Sequence, residues 1–178
     1  MGHKHTKEDI LAGAVAVAFT DGLSQLTYGR VAKRLDISDR VIVYYFPTKD
    51  DLVSAVVLSM GGQLQATLGA AFAEPAEDHL GIVRAAWPVL ASTEVDPVFA
   101  LFFEANGLAT AGREPYRTLV PQLVVGWIDW LEQVLVGDPD VRRAEAEAAV
   151  AIADGLLLVR QLAGPEAADR AARRLGVA

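Results

Sequence analysis

Cysteine is absent from the 178 residues. Disulfides, thiolate metal sites and a thiol redox switch are thereby excluded. Histidine is scarce: His3 and His5 sit in a polar leading segment, and only His79 lies deeper in the chain. Nucleophilic or metal-assisted catalysis has little material here, so neither an enzyme nor a cofactor is expected. His79 follows Asp78 at an expected helix start and reads as a surface residue of the cap region rather than a base. His3 and His5 could hold copper or nickel with a terminal amine, but a solvated tail is the simpler reading. Strand-favouring runs are few and alanine is plentiful, which points to an all-α fold. The start MGHKHTKEDI is too polar for a secretory signal, and no 18-residue window is expected to read as a membrane span. A cytoplasmic chain with no membrane partner is the expectation.

Positive charge is also in short supply, with 16 Lys and Arg against 23 Asp and Glu, a net −7. The deficit is uneven. Residues 1–52 hold Lys4, Lys7, Arg30, Lys33, Arg34, Arg40 and Lys49 against seven acids, and so are neutral. Residues 53–178 carry the whole imbalance. A small leading region can therefore present a local positive face to a polyanion while the acidic remainder stays away from it.

What the chain does have is apolar residues, 52% of the total, enough for a sizeable core. A first helix is expected from Lys7 to Thr20, with Ile10, Leu11, Ala14, Val15, Ala18 and Phe19 on one stripe. Asp21-Gly22 ends it. Thr27 is a good cap for a second helix that buries Val31, Ala32 and Leu35. Asp36-Ile37 is the turn, and Ser38 caps a third helix that begins at Asp39. At 100° per residue, Asp39, Arg40, Val43 and Tyr44 share one face, opposite Ile42 and Tyr45. Ile42 and Phe46 should face the core. Such a short, capped rod showing Arg and Tyr outward suits contact with DNA.

Pro47 stops that helix. Thr48-Lys49-Asp50-Asp51 then has the capping-box pattern of a fourth helix. Lys49 opposes the dipole there, unless a phosphate sits between the ammonium and the amide ends. Helix four should run to about Ala73, loosened at Gly61-Gly62. Further helices are expected over about 79–92, 96–109, 116–136, 141–163 and from Pro165 to near Leu175, giving about nine in all. Residues 1–47 are expected to form a three-helix helix-turn-helix head, and 48–178 an effector-binding and dimerisation domain.

The run Ile37-Ser38-Asp39-Arg40-Val41-Ile42-Val43-Tyr44-Tyr45-Phe46-Pro47-Thr48-Lys49-Asp50-Asp51-Leu52 resembles the signature of the tetracycline-repressor (TetR) family of bacterial transcription regulators. Upstream, Gly22, Leu26-Thr27 and Val31-Ala32 fit the same pattern. The resemblance covers about 45 residues and departs at two places: the family's usual Tyr stands here as Val43, and its usual turn Gly as Asp36. It implies that Thr27 and Lys49 hold phosphates and that Asp39, Arg40 and Tyr44 face bases. Tyr44 would take over the missing phosphate contact of position 43. Tyr28, Arg30, Ser38, Val43 and Tyr45 complete the candidate DNA-contact set. Arg40 is the best reader of guanine, since its fork fits O6 and N7.

The same resemblance implies an all-helical homodimer that releases a double-stranded operator when a small effector binds the C-terminal part, usually as a repressor. The candidate pocket residues are Trp87, Phe99, Phe102, Phe103, Glu104, Asn106, Tyr116, Trp127 and Trp130, although aromatics at helical spacing also serve as plain core. Glu104 follows an apolar run and needs a partner, which could be Arg113, Arg117 or a ligand. A largely hydrophobic effector is expected. Ala149, Ile152, Ala153, Leu156, Leu157 and Arg160 are the candidate dimer contacts, small residues among Leu allowing close helix approach. The competing reading is a helical ligand-binding or adaptor protein that does not bind DNA specifically.

Overall fold

Local cap chemistry sets where the helices begin in the computed structural model, which describes residues 5–178; His3 lies outside the described residues. Thr6 and Asp9 exchange side-chain and backbone bonds at the start of α1 (Lys7–Asp21), each satisfying an amide that the first turn leaves open. Thr27 caps α2 (Tyr28–Leu35), and Ser38 precedes α3 (Asp39–Tyr45). Thr48 and Asp51 form the expected reciprocal box before α4 (Lys49–Gly69). Asp78 caps α5 (His79–Leu90) by accepting from the Gly81 amide at 2.7 Å. Then come α6 (Asp96–Thr110), α7 (Tyr116–Glu132), α8 (Pro139–Ala163) and α9 (Pro165–Leu175). The described residues are all-helical apart from turns and one isolated bridge between Ala76 and Leu135.

Several boundaries differ from expectation. The Gly61-Gly62 pair does not interrupt α4, which instead tightens into a 3-10 turn at Ala70–Phe72. Helix α7 stops at Glu132 rather than Val136 because the next backbone groups turn outward. The Ala76 amide donates to the Val134 carbonyl, and the Val136 amide to that of Ala76. Ser38 sits at the cap position of α3, but its side chain makes no cap hydrogen bond.

Two compact units divide the chain: residues 5–62 with 101–120, and residues 63–100 with 121–178. Helices α4, α6 and α7 each contribute residues to both. In the first unit the side chains of Ile10, Ala14, Val17, Leu26, Val31, Ile42 and Phe46 are buried. Helices α1 and α2 approach so closely at Gly13 that a Cβ there would meet the Leu35 side chain at 2.8 Å. The stripe of α1 is therefore rotated from expectation: Gly13 and Val17 lie inside, whereas Phe19 is 39% exposed.

In the second unit α8 packs against α5 and α9, burying Ile82, Val83, Ala86, Trp87 and Leu90 along with Ala168 and Ala172. Arg160 is 5% exposed, and its guanidinium holds both carboxylate oxygens of Asp96 at 2.6 and 3.1 Å. This corrects the expected dimer contact. Ala149, Leu156, Leu157 and Arg160 are interior to the protomer, and Ile152 and Ala153 are half-buried. The other side of α8 carries Ala144, Ala151, Gly155, Leu158, Val159 and Leu162, all exposed, Leu162 to 79%.

One described stretch, Lys49–Phe72, is long and apolar enough to cross a membrane by length and composition, its best window having a mean hydropathy of 1.3 with 28% buried. Residues 52–69 indeed carry no charge, which corrects the expectation that no such window exists. The stretch also contains Gln63, Gln65 and Thr67, and it buries Leu52, Val53, Val56, Met60 and Leu68 within the protein.

Candidate nucleic-acid interface

A left-handed turn creates the angle between α2 and α3. Asp36 ends α2 at φ 54°, ψ 47°, a conformation that Asp reaches at lower cost than most residues with a Cβ. The Ile37 amide bonds back to the Ala32 carbonyl at 3.1 Å, closing the turn. Tyr28 at the start of α2 donates its hydroxyl to the Phe46 carbonyl at 2.7 Å, tying the two ends of the motif together. Burial raises its pKa, and the charges of Asp51 and Asp50 add to that. Tyr28 thus holds the motif in shape from a half-buried position.

Helix α3 buries Ile42, with Phe46 just past its end, and turns Asp39, Arg40, Val43 and Tyr44 outward. Tyr44 is 78% exposed and Val43 42%. Together with Ser38 they make a polar-edged, aromatic-tipped face, and an open groove runs beside it past Asp36, Ile37 and Val41. Among the described residues neither Arg40 nor Lys49 is engaged in an ion pair. Both cations stand available to an anion, Lys49 at the amide end of α4, where a phosphate gains from the helix dipole as well.

Other members of the candidate set are partly committed. Tyr45 is half-buried, donates its hydroxyl to the His5 carbonyl at 3.2 Å and meets Tyr44 edge-on at 4.9 Å. It braces Tyr44 and the leading segment. Arg30 pairs with Asp21 at 2.6 Å and donates to Gln25 at 3.2 Å, so its charge is partly neutralised. Thr27 accepts from the Arg30 amide, which leaves its hydroxyl hydrogen for an outside acceptor.

The residues assigned to an effector pocket fall into both units. In the second, Trp127 and Trp130 meet edge-to-face at 5.3 Å and Phe72 closes on Trp130 at 5.4 Å, all three half-buried. Phe72 was not legible as a member, because it stands alone in an alanine-rich stretch. Trp87 and Phe99 are buried. In the first unit Phe102 and Phe103 meet at 5.5 Å, and Asn106 is half-buried.

Glu104 departs from expectation. Its carboxylate accepts from the Leu23 amide at 2.8 Å, the Ser24 amide at 2.8 Å and the Ser24 hydroxyl at 2.5 Å. Neither arginine holds it; Arg117 pairs with Glu114 instead. Burial pushes the Glu104 pKa up, but the bonds from Ser24 and Leu23 together outweigh it and the net shift is down. Tyr116 is buried beside it, with its hydroxyl 3.5 Å from the Leu23 carbonyl. Burial first, then the Glu104 and Asp50 charges, push the Tyr116 pKa up to about 12.

Residues 10–56 match the profile of "Bacterial regulatory proteins, tetR family". No curated protein matches the chain. Among solved structures, a transcriptional regulator from Rhodococcus sp. Rha1 is similar at 22% identity and TM-score 0.72, over 94% of this chain and 91% of the other. A TetR transcriptional regulator from Legionella pneumophila is similar at 23% and 0.64, over 98% and 97%. The multidrug binding protein EbrR, complexed with imidazole, is similar at 24% and 0.67, over 98% and 93%. Other structures of EbrR hold malachite green and proflavin. At these identities the likeness shows a shared fold. The match over residues 10–56 ties the helix-turn-helix segment to the tetR family of bacterial regulatory proteins.

Proposed function

We propose that the chain is a repressor that binds a two-part operator as a homodimer and leaves it when a small, largely hydrophobic effector binds beyond the reading head. The observation that carries DNA reading is the outward face of α3, where Arg40, Val43 and Tyr44 project from a rod anchored by Ile42. A rod of this kind delivers its N-terminal residues to base edges in the major groove. Arg40 addresses a guanine, Tyr44 and Lys49 the backbone, and Thr27 a phosphate at the start of α2.

A second copy suits the exposed side of α8. Ala144, Ala151 and Gly155 are small enough for close helix contact, and Leu158, Val159 and Leu162 supply apolar area that water would otherwise cover. Two reading heads then address half-sites one helical turn apart, about 34–36 Å. The effector reading is supported by the half-buried cluster of Phe72, Trp127 and Trp130, and by the dyes bound to EbrR. Such an effector acts by population shift and must bind the DNA-incompetent arrangement better. A release of about 100-fold needs roughly 2.7 kcal/mol of differential binding.

Selection of tight binders from random duplex DNA tests the first half. A palindromic sequence should be enriched, and its affinity should fall steeply with salt. If no sequence is enriched at any salt concentration, the adaptor reading takes over. Malachite green and proflavin, titrated against the complex with the selected duplex, test the second half. Release of the DNA supports an effector site; unchanged binding across a wider panel of hydrophobic compounds counts against it.

A further inference from the structure

We propose that Glu104 is the positioning residue that fixes the angle of the reading head, by clamping the α1–α2 turn to the corner between α6 and α7; the role rests on the DNA-binding reading above. The clamp is built from both sides. Three donors of the turn, the Leu23 and Ser24 amides and the Ser24 hydroxyl, converge on the two oxygens of one carboxylate. The turn is shaped to receive them: Gly22 lies at φ +91°, and a Cβ on it would stand 3.2 Å from Glu104 Oε2. Tyr116, from the first turn of α7, approaches the Leu23 carbonyl from the same corner. Backbone amides hold a carboxylate in one orientation, and bonds to a charged acceptor are stronger than neutral ones.

The position of these groups gives the clamp its function. Residues 101–120 belong to the same compact unit as α1, α2 and α3, although they lie some 80 residues further along the chain. The turn they grip leads directly into α2, and α2 carries α3 through the closed turn at Asp36. Releasing the clamp frees α1–α3 to swing about the start of α4, so α3 no longer has a fixed approach to DNA. A dimer whose heads swing still binds DNA, but it discriminates less between half-site spacings.

The test compares operators selected by the wild-type chain with versions whose half-site spacing is lengthened by two base pairs. The wild type should prefer its selected spacing. Glu104→Gln places an amide donor against the amide donors of the turn, and should shrink that preference by about tenfold, the scale of a lost charged hydrogen bond. Affinity for random DNA, helicity and dimerisation should stay as in the wild type. Ser24→Ala removes only the hydroxyl bond, folds even if Glu104→Gln does not, and should shrink the preference in the same direction by less. Hydrogen exchange at the Leu23 and Ser24 amides should accelerate in both variants. An undiminished spacing preference in either folded variant overturns the clamp. A wild-type chain that enriches no operator overturns the DNA reading itself, and the clamp's role with it.

Discussion

Arg40 and Lys49 carry like charge on neighbouring elements, yet their substitution should read out differently. Arg40→Ala should cost about 1–3 kcal/mol of specific affinity and relax the preference at one base pair, because a bidentate base contact is lost. Lys49→Ala should weaken all duplexes alike and lower the slope of log affinity against log salt by about 1, because one released counterion is lost. Binding titrations of both variants on selected and random duplexes, at several salt concentrations, check the pair. Equal behaviour of the two would remove the distinction between reading and anchoring. Gly22 tests the fold at the same scale. Its φ of +91° and the nearness of Glu104 predict that Gly22→Ala lowers stability by about 1–3 kcal/mol, measured as the midpoint of chemical denaturation. These residues also show what a sequence discloses. The outward set on α3 was legible, because a seven-residue helix with Ile42 inside has only one other face. The partners of Glu104 were not. A carboxylate in an apolar run announces that it needs donors, but main-chain amides leave no letter in the sequence.

At the scale of the element, α8 is the informative case. Its apolar residues form two stripes, and periodicity alone does not say which one turns inward. The stripe through Ala149, Leu156 and Arg160, expected at a dimer contact, is the one that the protomer buries. The deciding interaction is the Arg160–Asp96 ion pair, made by residues 64 apart. Removing one partner of such a pair leaves the other charge poorly compensated. Arg160→Ala should destabilise by about 3 kcal/mol, whereas Arg160→Met, which refills the space, should cost less. Thermal and urea unfolding of the two variants give the comparison. The outer stripe carries the opposite expectation. Leu162→Asp should leave stability nearly unchanged and yield monomers by light scattering. A dimer surviving that substitution together with Leu158→Asp would move the interface elsewhere. The helix starts, by contrast, were nearly all legible, because caps such as Thr27 and Thr48 act within four residues of themselves.

For the whole molecule, one half-buried acid gives a distinct response to pH. Asp154 in α8 has its pKa raised by burial from 3.8 to about 6. The folded state therefore binds a proton more tightly than the unfolded chain does. The contribution of this group is fully present below about pH 4, declines as pH rises towards 6, and stays lower above it by about 3 kcal/mol. Asp154→Asn should flatten that decline and raise the melting temperature at pH 7. An unchanged profile from pH 4 to 7 would mean the carboxylate is better solvated than its position suggests. At this scale, the proposed DNA reading accounts for the neutral leading region on an acidic chain: only a small part of the surface would have to approach phosphates.

The meeting of Gly22 with Glu104 leaves a mark on how related chains can drift apart. Position 104 receives two of its three donors from the main chain, so a lineage can exchange Ser24 with modest harm. Positions 22 and 104 lack that liberty: a φ of +91° strains any side chain at 22 whatever stands at 104, and the two amides that converge on 104 call for an acid of that length. Constancy at these two sites, with position 24 wandering independently, is the pattern that descent should have written.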